Sequence, residues 1–107
     1  MYVRMLDFNL NVEKKAEFLK VMKNEVLPIL HKQTGFLEIL PFVPENLTDK
    51  WFNITLWATK LDAEKYEREI YPKVLDLVKP FLTTPITVKL YMLETTLCEH
   101  FEKALAA

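Results

Sequence analysis

The apolar residues change period along the chain in an order that few folds can accommodate. Four segments are rich in β-forming residues and largely alternate with a period of two, which predicts strands. They are 2–10, 36–43, 51–59 and 86–94. Between them lie segments with apolar residues at helical spacing: one follows Asn11, a second runs from Leu61 to about Tyr71, and a third starts at Pro72. The order predicts a ferredoxin-like α+β fold, βαββαβ, with a four-stranded antiparallel sheet and helices on one face.

Proline and glycine positions refine this topology. Pro28 interrupts the first helix, where it predicts a bend or a new turn. Gly35 is the only glycine and follows that helix, so it predicts a turn through a left-handed residue. Pro41 has no N–H for a sheet ladder, which agrees with the edge position of the second strand in this fold.

The third strand is apolar on both faces. Its even positions from Phe52 to Ala58 are all apolar, and its odd positions include both tryptophans, Trp51 and Trp57. The helices cover only one face of such a sheet, and the other would expose a larger apolar patch than monomers usually tolerate. We therefore expect a homodimer that is joined through the sheet faces with two-fold symmetry.

The composition excludes several kinds of partner. The 14 basic and 15 acidic residues nearly cancel, and the strands lack the basic and aromatic surface that stacks bases, so neither nucleic acid nor a membrane is expected. The one cysteine, Cys98, has no partner for an intramolecular disulfide, and no secretory signal opens the sequence. A cytoplasmic location is the expectation.

Two motifs resemble the antibiotic biosynthesis monooxygenase family of dimeric α/β-barrel proteins. They are "LPILHKQTGFLEI", a helix end that leads through Gly-Phe into a strand, and "ITLWATKLDAEKYE", a strand that ends in Trp and leads into the second helix. The resemblance covers a domain of residues 1–95. The remainder, residues 96–107, is predicted to form an extra amphipathic C-terminal helix.

The resemblance implies a chemistry and a set of site residues. Some family members are cofactor-independent oxygenases that convert polycyclic phenols to quinones with molecular oxygen. Their Asn and Trp, four residues apart on the third strand, match Asn53 and Trp57, which we predict to be catalytic. The family's Tyr and Arg have no clear counterpart by spacing. The candidates for the substrate pocket are Tyr66, Arg68 and Tyr71 from the second helical region and Asn9 from the first strand.

No metal or other cofactor is expected. Haem-degrading members of the family ligate iron through a histidine on the second helix, and no histidine lies between Trp57 and Pro85. Haem degradation by that mechanism is therefore disfavoured.

Strand alternation and the family resemblance disagree about the pocket. Alternation alone turns the uninterrupted apolar face of the third strand towards the helices and sends Asn53 and Trp57 to the dimer side. The resemblance implies a pocket between sheet and helices. A cavity of roughly 300 Å³ or more beside Asn53 would be the size of a ligand pocket.

The function predicted from these observations is a cofactor-independent monooxygenase that acts on a small aromatic or polycyclic phenolic substrate with O₂. The alternative is a non-catalytic dimeric domain of the same fold, which binds a small apolar molecule or only assembles. Isomerases and decarboxylases of similar barrels are a further alternative, because one fold hosts many functions.

Overall fold

The computed structural model describes residues 1–99 of the chain. Its four strands are β1 (Tyr2–Phe8), β2 (Phe36–Phe42), β3 (Trp51–Trp57) and β4 (Thr87–Met92). They form one antiparallel sheet in the order β2-β3-β1-β4. The ferredoxin-like topology is therefore confirmed, and the second and fourth strands are its edges as expected. Within one chain the sheet is open and is not closed into a barrel.

The helices lie where the sequence predicts them, with more breaks. The first helical region comprises a 3₁₀ turn (Val12–Lys14), α1 (Lys15–Val21), a π turn (Met22–Val26) and α2 (Leu27–His31). The second comprises α3 (Lys60–Glu69), α4 (Tyr71–Val78) and a 3₁₀ turn (Lys79–Phe81). Asn11 begins the first region by accepting the N–H of Glu13, and Thr59 begins α3 by accepting the N–H of Asp62.

The change of geometry expected at Pro28 takes the form of the π turn. The N–H of Leu27 donates to the carbonyl of Met22, five residues back. A proline in an ordinary helix lacks one N–H and presses on the carbonyl four residues earlier. The wider turn places this defect where the helix is already expanded, so the helix continues to His31.

Gly35 makes the predicted turn between α2 and β2. Its φ is +80°, a conformation that residues with a Cβ rarely adopt. A Cβ at this position would also overlap the carboxylate of Asp62 in the first turn of α3. The glycine therefore permits both the turn and the close approach of a second helix.

The core lies between the helices and one face of the sheet. Trp51 and Trp57 of β3 belong to it, together with Phe8 of β1 and Phe18 of α1. Since residues at odd positions of β3 share one face, Asn53 faces the helices too. The face derived from alternation alone is therefore wrong. Burial of the two large indole rings outweighs the uninterrupted apolar pattern of the even positions.

A bulge in β2 turns apolar residues at odd spacing towards the same face of the sheet. The register shifts between Phe36, which is opposite Trp57, and Glu38, which is opposite Leu56. Phe36 and Ile39, three residues apart, both pack against the helix-side core. Leu37, at the bulge, is exposed.

The other sheet face carries apolar residues that no helix within residues 1–99 covers. Phe42 and Phe52 pack on each other there with ring centroids 5.4 Å apart, and Phe42 is 48% exposed. Val3 and Leu56 are buried on this face, and Met5 and Ile54 are half-buried. The homodimer that this face favours remains a prediction.

Among residues 1–99, no helix is both long and apolar enough to cross a membrane. At the C-terminal end, a 3₁₀ turn covers Thr95–Leu97. Most of the predicted C-terminal helix, residues 100–107, lies outside the described residues.

Candidate functional site

A cavity of about 40 Å³ lies between the helix-side face of the sheet and the helices. Most of its wall is apolar and includes Leu6, Val26, Leu30 and Val78. The polar or aromatic-polar side chains in the wall are Arg4, Asn53, Thr55, Tyr66 and Tyr71. The wall contains no histidine, cysteine, carboxylate or lysine from residues 1–99, so the arginine is its only charged group in that part of the chain.

Arg4 is the most unusual of these residues. It lies on β1 opposite Thr55, and only 1% of its surface is exposed. Its guanidinium carbon lies 5.1 Å from the ring centre of Tyr66 and 4.5 Å from that of Tyr71, so it makes cation–π contacts with both. Nε and Nη2 have no hydrogen-bond partner among the described residues. Glu67 Oε1 is 3.8 Å from Nη2, longer than a hydrogen bond, and the Glu67 side chain is 42% exposed.

The two tyrosines present neutral phenols to the cavity. Burial raises the pKa of Tyr66 to about 12, and the opposing charge of Arg4 offsets only part of that effect. Burial also raises the pKa of Tyr71, again against the charge of Arg4, while the charge of Glu67 raises it further. Both hydroxyls are therefore protonated at neutral pH and can donate hydrogen bonds.

Asn53 places an amide on an otherwise apolar stretch of the wall. It is half-buried and lies between Leu6 of β1 and Pro41 of β2 in the sheet register. Its side chain makes no hydrogen bond to any described residue, whereas the amide of Asn11 is used for a helix cap. Asn53 can therefore both donate to and accept from a molecule in the cavity.

Trp57 is placed differently from Asn53. It is 0% exposed, and its indole N–H donates to Thr55 Oγ1 over 3.0 Å. Its ring packs on Tyr66, with centroids 4.8 Å apart, and on Phe36 at 5.5 Å. The indole N–H is therefore occupied within the protein, and the contact of Trp57 with the cavity is made through Tyr66.

No family model matches this chain, and no curated protein matches it in sequence. Among solved structures, SnoaB, a cofactor-independent oxygenase from Streptomyces nogalater, superposes with a TM-score of 0.75 at 16% identity and covers 92% of this chain and 97% of its own. A monooxygenase from Streptomyces coelicolor, solved with the ligand nanaomycin D, has a TM-score of 0.71 at 11% identity and covers 87% of both chains.

A third structure, named as an antibiotic biosynthesis monooxygenase, has a TM-score of 0.70 at 15% identity and covers 87% of this chain and 98% of its own. The chain has the fold of the antibiotic biosynthesis monooxygenases. At these identities the likeness concerns the fold, and the chemistry has to be argued from the side chains. The resemblance first noticed in the two sequence motifs is thereby confirmed for the fold.

The structure brings together some of the residues that the resemblance to the monooxygenases suggested. Asn53, Tyr66 and Tyr71 line one cavity. Arg68 is directed away from it, with its side chain 68% exposed and Nη2 4.0 Å from Glu69. Asn9 does not line the cavity either, because its amide oxygen accepts from the hydroxyl of Thr84 over 3.1 Å, beyond the end of β1.

Sequence reasoning missed Arg4. Its signal was present, because Arg4 shares the face of β1 that carries Leu6 and Phe8, and a charge at the centre of a buried strand face requires an explanation. The resemblance pointed to an arginine in the second helical region, so Arg68 was named as a pocket candidate instead.

A wider groove of about 620 Å³ adjoins the cavity. It lies beside α4 and β4, and its wall includes Lys79, Thr83 and Thr84. Three residues belong to the walls of both spaces, namely Tyr71, Leu82 and Ile86. These side chains form the partition between the cavity and the groove.

Within residues 1–99, no three side chains of His, Cys, Asp or Glu come together in a way that could hold a metal ion. The cavity wall offers amide, hydroxyl and guanidinium groups in that part of the chain, which suit an anionic or phenolic oxygen.

Proposed function

We propose that the chain is a cofactor-independent monooxygenase that oxidises a polycyclic phenol or anthrone-type substrate with O₂. The observation that carries the proposal is the unpaired amide of Asn53 on the wall of an apolar cavity, beside the protonated phenols of Tyr66 and Tyr71. Such donors are worth more in a dry site than in water, because they need no reorganisation as charge develops on the substrate oxygen.

Proteins with this activity are found among the structures that share the fold. SnoaB is a cofactor-independent oxygenase, and the Streptomyces coelicolor monooxygenase was solved with nanaomycin D. Asn53 and Trp57 match the Asn and Trp of the family's third strand. We assign direct contact with substrate to Asn53. Trp57 is assigned a supporting role through Tyr66, because Thr55 already accepts its N–H.

The proposed reaction uses the substrate as the source of all electrons. An anthrone CH₂ loses a proton, and its electron-rich anion transfers electrons to O₂. One oxygen atom forms the new C=O bond, the O–O bond breaks, and the other oxygen leaves as water with the two hydrogens of the CH₂ group. O₂ gains four electrons and the ring carbon loses four, so anthrone plus O₂ balances anthraquinone plus water without a further reductant.

The substrate needs more space than the cavity has. About 40 Å³ accommodates on the order of one water molecule, whereas ligand pockets start at roughly 300 Å³. We propose that Leu82 and Ile86 move aside, so that the aromatic rings lie in the groove and the reacting oxygen reaches Asn53. The groove, at about 620 Å³, is large enough for such a ring system.

We further propose that the chain acts as a homodimer. The sheet face with Phe42 and Phe52 would bury apolar surface against the same face of a second copy, which stabilises association at about 25 cal/mol per Å². The pocket lies on the opposite, helix-side face, so each copy carries its own site.

Oxygen consumption tests the function. With an anthrone and hydroquinone panel, the parent should consume one O₂ per anthrone, and Asn53→Ala should lower kcat/KM by about 10²–10³. Trp57→Phe should lower it less, by about tenfold, because it loosens Tyr66 without removing a group that contacts substrate. Asn24→Ala, at an exposed asparagine of the π turn, is the matched control. Equal rates in Asn53→Ala and Asn24→Ala would contradict the catalytic assignment.

The small size of the cavity favours a second candidate, a non-catalytic dimeric domain of the same fold. This candidate predicts no oxygen consumption above the rate without protein for any member of the panel. It also predicts that aromatic ligands bind equally well to the parent and to Asn53→Ala.

A further inference from the structure

The guanidinium of Arg4 is a buried charge without the partners that buried charges usually have. Burial of a cation costs several kcal/mol unless a counter-charge and hydrogen bonds compensate it. Two of its nitrogens lack any hydrogen-bond partner in residues 1–99, and the carboxylate of Glu67 is too distant and too exposed to compensate fully. The rings of Tyr66 and Tyr71 supply part of the stabilisation through their π faces.

The position of Arg4 connects it with the proposed reaction. Its guanidinium is in the wall of the same cavity as Asn53, on the neighbouring strand, and its π partner Tyr71 belongs to the partition towards the groove. The wall residues described here include no carboxylate that competes for the charge and no side chain that titrates near pH 7. An anionic oxygen that enters beside Asn53 would therefore meet Arg4 as its one full opposite charge.

We propose that Arg4 binds the substrate as a phenolate or enolate, so that the substrates of this chain are aromatic compounds with an ionisable ring hydroxyl or an enolisable ketone. This rests on the proposed function. The substrate proton leaves to solvent, and the charge of Arg4 holds the anion in a desolvated site, where opposite charges lower a phenol's pKa. The residue that sequence reasoning favoured for a pocket role, Arg68, has no part in this step.

The oxygen atom is held by complementary groups. The guanidinium supplies charge and in-plane N–H donors, and the neutral hydroxyls of Tyr66 and Tyr71 and the amide of Asn53 supply donors without charge. Because the anion is the form that transfers electrons to O₂, its stabilisation at Arg4 would replace a protein general base. The sequence signature is the arginine at the centre of β1, not an acid–base residue on the second helix.

A substrate analogue that is already oxidised tests this without turnover. 2-Hydroxyanthraquinone changes colour when its hydroxyl ionises, so its pKa on the protein can be read by absorbance between pH 4 and pH 10. Bound to the parent, its pKa should be lower than in water by at least about 1 unit, which corresponds to about tenfold tighter binding of the anion than of the neutral form. Arg4→Gln should abolish this preference, and Arg4→Lys should retain part of it.

Two control variants, Lys73→Gln and Arg68→Gln, show whether the pKa shift depends on Arg4 and not on positive charge in general. Lys73→Gln removes one exposed positive charge from α4 and should leave the bound pKa within about 0.2 unit of the parent. Thermal unfolding of each variant shows whether it is folded at the titration temperature. An unshifted pKa on the parent would overturn the proposal even if no Arg4 variant folds. So would an equal shift in Arg4→Gln, or its loss in Arg68→Gln instead.

The pKa titration and the oxygen-consumption test can fail independently of each other. A lowered pKa that depends on Arg4, together with no oxygen consumption, would retain the anion site and reject the oxygenase. Oxygen consumption that depends on Asn53, together with an unshifted pKa, would retain the oxygenase and reject the role of Arg4.

Discussion

Single polar residues on apolar strand faces define the candidate site. Arg4 and Asn53 each occupy a position where an apolar side chain would pack more easily, and neither has a full set of partners among residues 1–99. Tyr66 links Arg4 to the helical layer, because its ring contacts both Arg4 and Trp57. The site therefore depends on a few side chains of the core, not on a surface loop.

The phenol of Tyr66 should give the folded state a measurable pH dependence. Its pKa is raised to about 12 in the folded chain, from about 10 when unfolded, so above pH 10 the unfolded state binds fewer protons than the folded state. Stability should then fall as the pH rises from about 10 towards 12. Tyr66→Phe should remove about 1 kcal/mol of the loss in unfolding free energy between pH 9 and pH 11.

Urea unfolding at the two pH values measures this slope. Tyr91→Phe, at an exposed tyrosine of β4, is the control and should unfold with the slope of the parent. If Tyr66→Phe loses as much stability between the two pH values as the parent does, the phenol of Tyr66 is not buried as described.

The elements show what the sequence could and could not predict. The order of strands and helices and the two edge strands follow from the apolar period alone, because they depend on pattern and connection length. The face of β3 could not be read that way. Both faces are apolar, so the choice was made by how two indole rings and Phe18 fill the space under the helices. The bulge in β2 likewise depends on pairing with β3.

The candidate site was predictable to the extent that it follows the strands. Asn53 was predicted through the resemblance, and Tyr66 and Tyr71 were candidates because they lie in the second helical region; all three line the cavity. Arg4 and the partition of Leu82 and Ile86 required the register between β1, β3 and the helices. Arg68 follows Tyr66 by two residues, a rotation of about 200° around α3, and its side chain is exposed.

The turn before β2 provides a test of how closely α3 approaches Gly35. Gly35→Ala should lower the free energy of unfolding by at least about 1–3 kcal/mol, because alanine is strained at a φ of +80° and its Cβ would overlap Asp62. Chemical denaturation measures the loss. In an Asp62→Gly background the overlap is removed and the strain is not, so the loss should shrink without vanishing. An equal loss in both backgrounds would show that Asp62 does not approach Gly35.

Residues 1–99 form a sheet with helices on one face and apolar residues on both. The uncovered face includes half-buried Ile54 beside the Phe42 and Phe52 pair. This arrangement favours a second copy of the chain packed against that face. The cavity and the groove then lie on the opposite side of the sheet from the dimer interface.

Sedimentation tests the assembly. The parent should sediment as a species of twice the 12.7 kDa chain at micromolar concentration. Ile54→Lys introduces a charge into the centre of the uncovered face and should shift the protein to monomer, since an unpaired buried charge costs several kcal/mol. Lys89→Leu, on β4 at the same face, should not weaken the dimer. A single 12.7 kDa species for the parent would contradict the assembly.

The proposed function is the oxidation of an aromatic substrate with O₂ and no added cofactor. The most direct measurement is a reaction of the purified chain with anthrone under ¹⁸O₂, in buffer with chelator and without flavin, followed by mass spectrometry of the product. We expect one ¹⁸O atom in each anthraquinone, formed faster by the parent than by Asn53→Ala. Anthraquinone without ¹⁸O, or formed at the rate seen without protein, would contradict the proposed function.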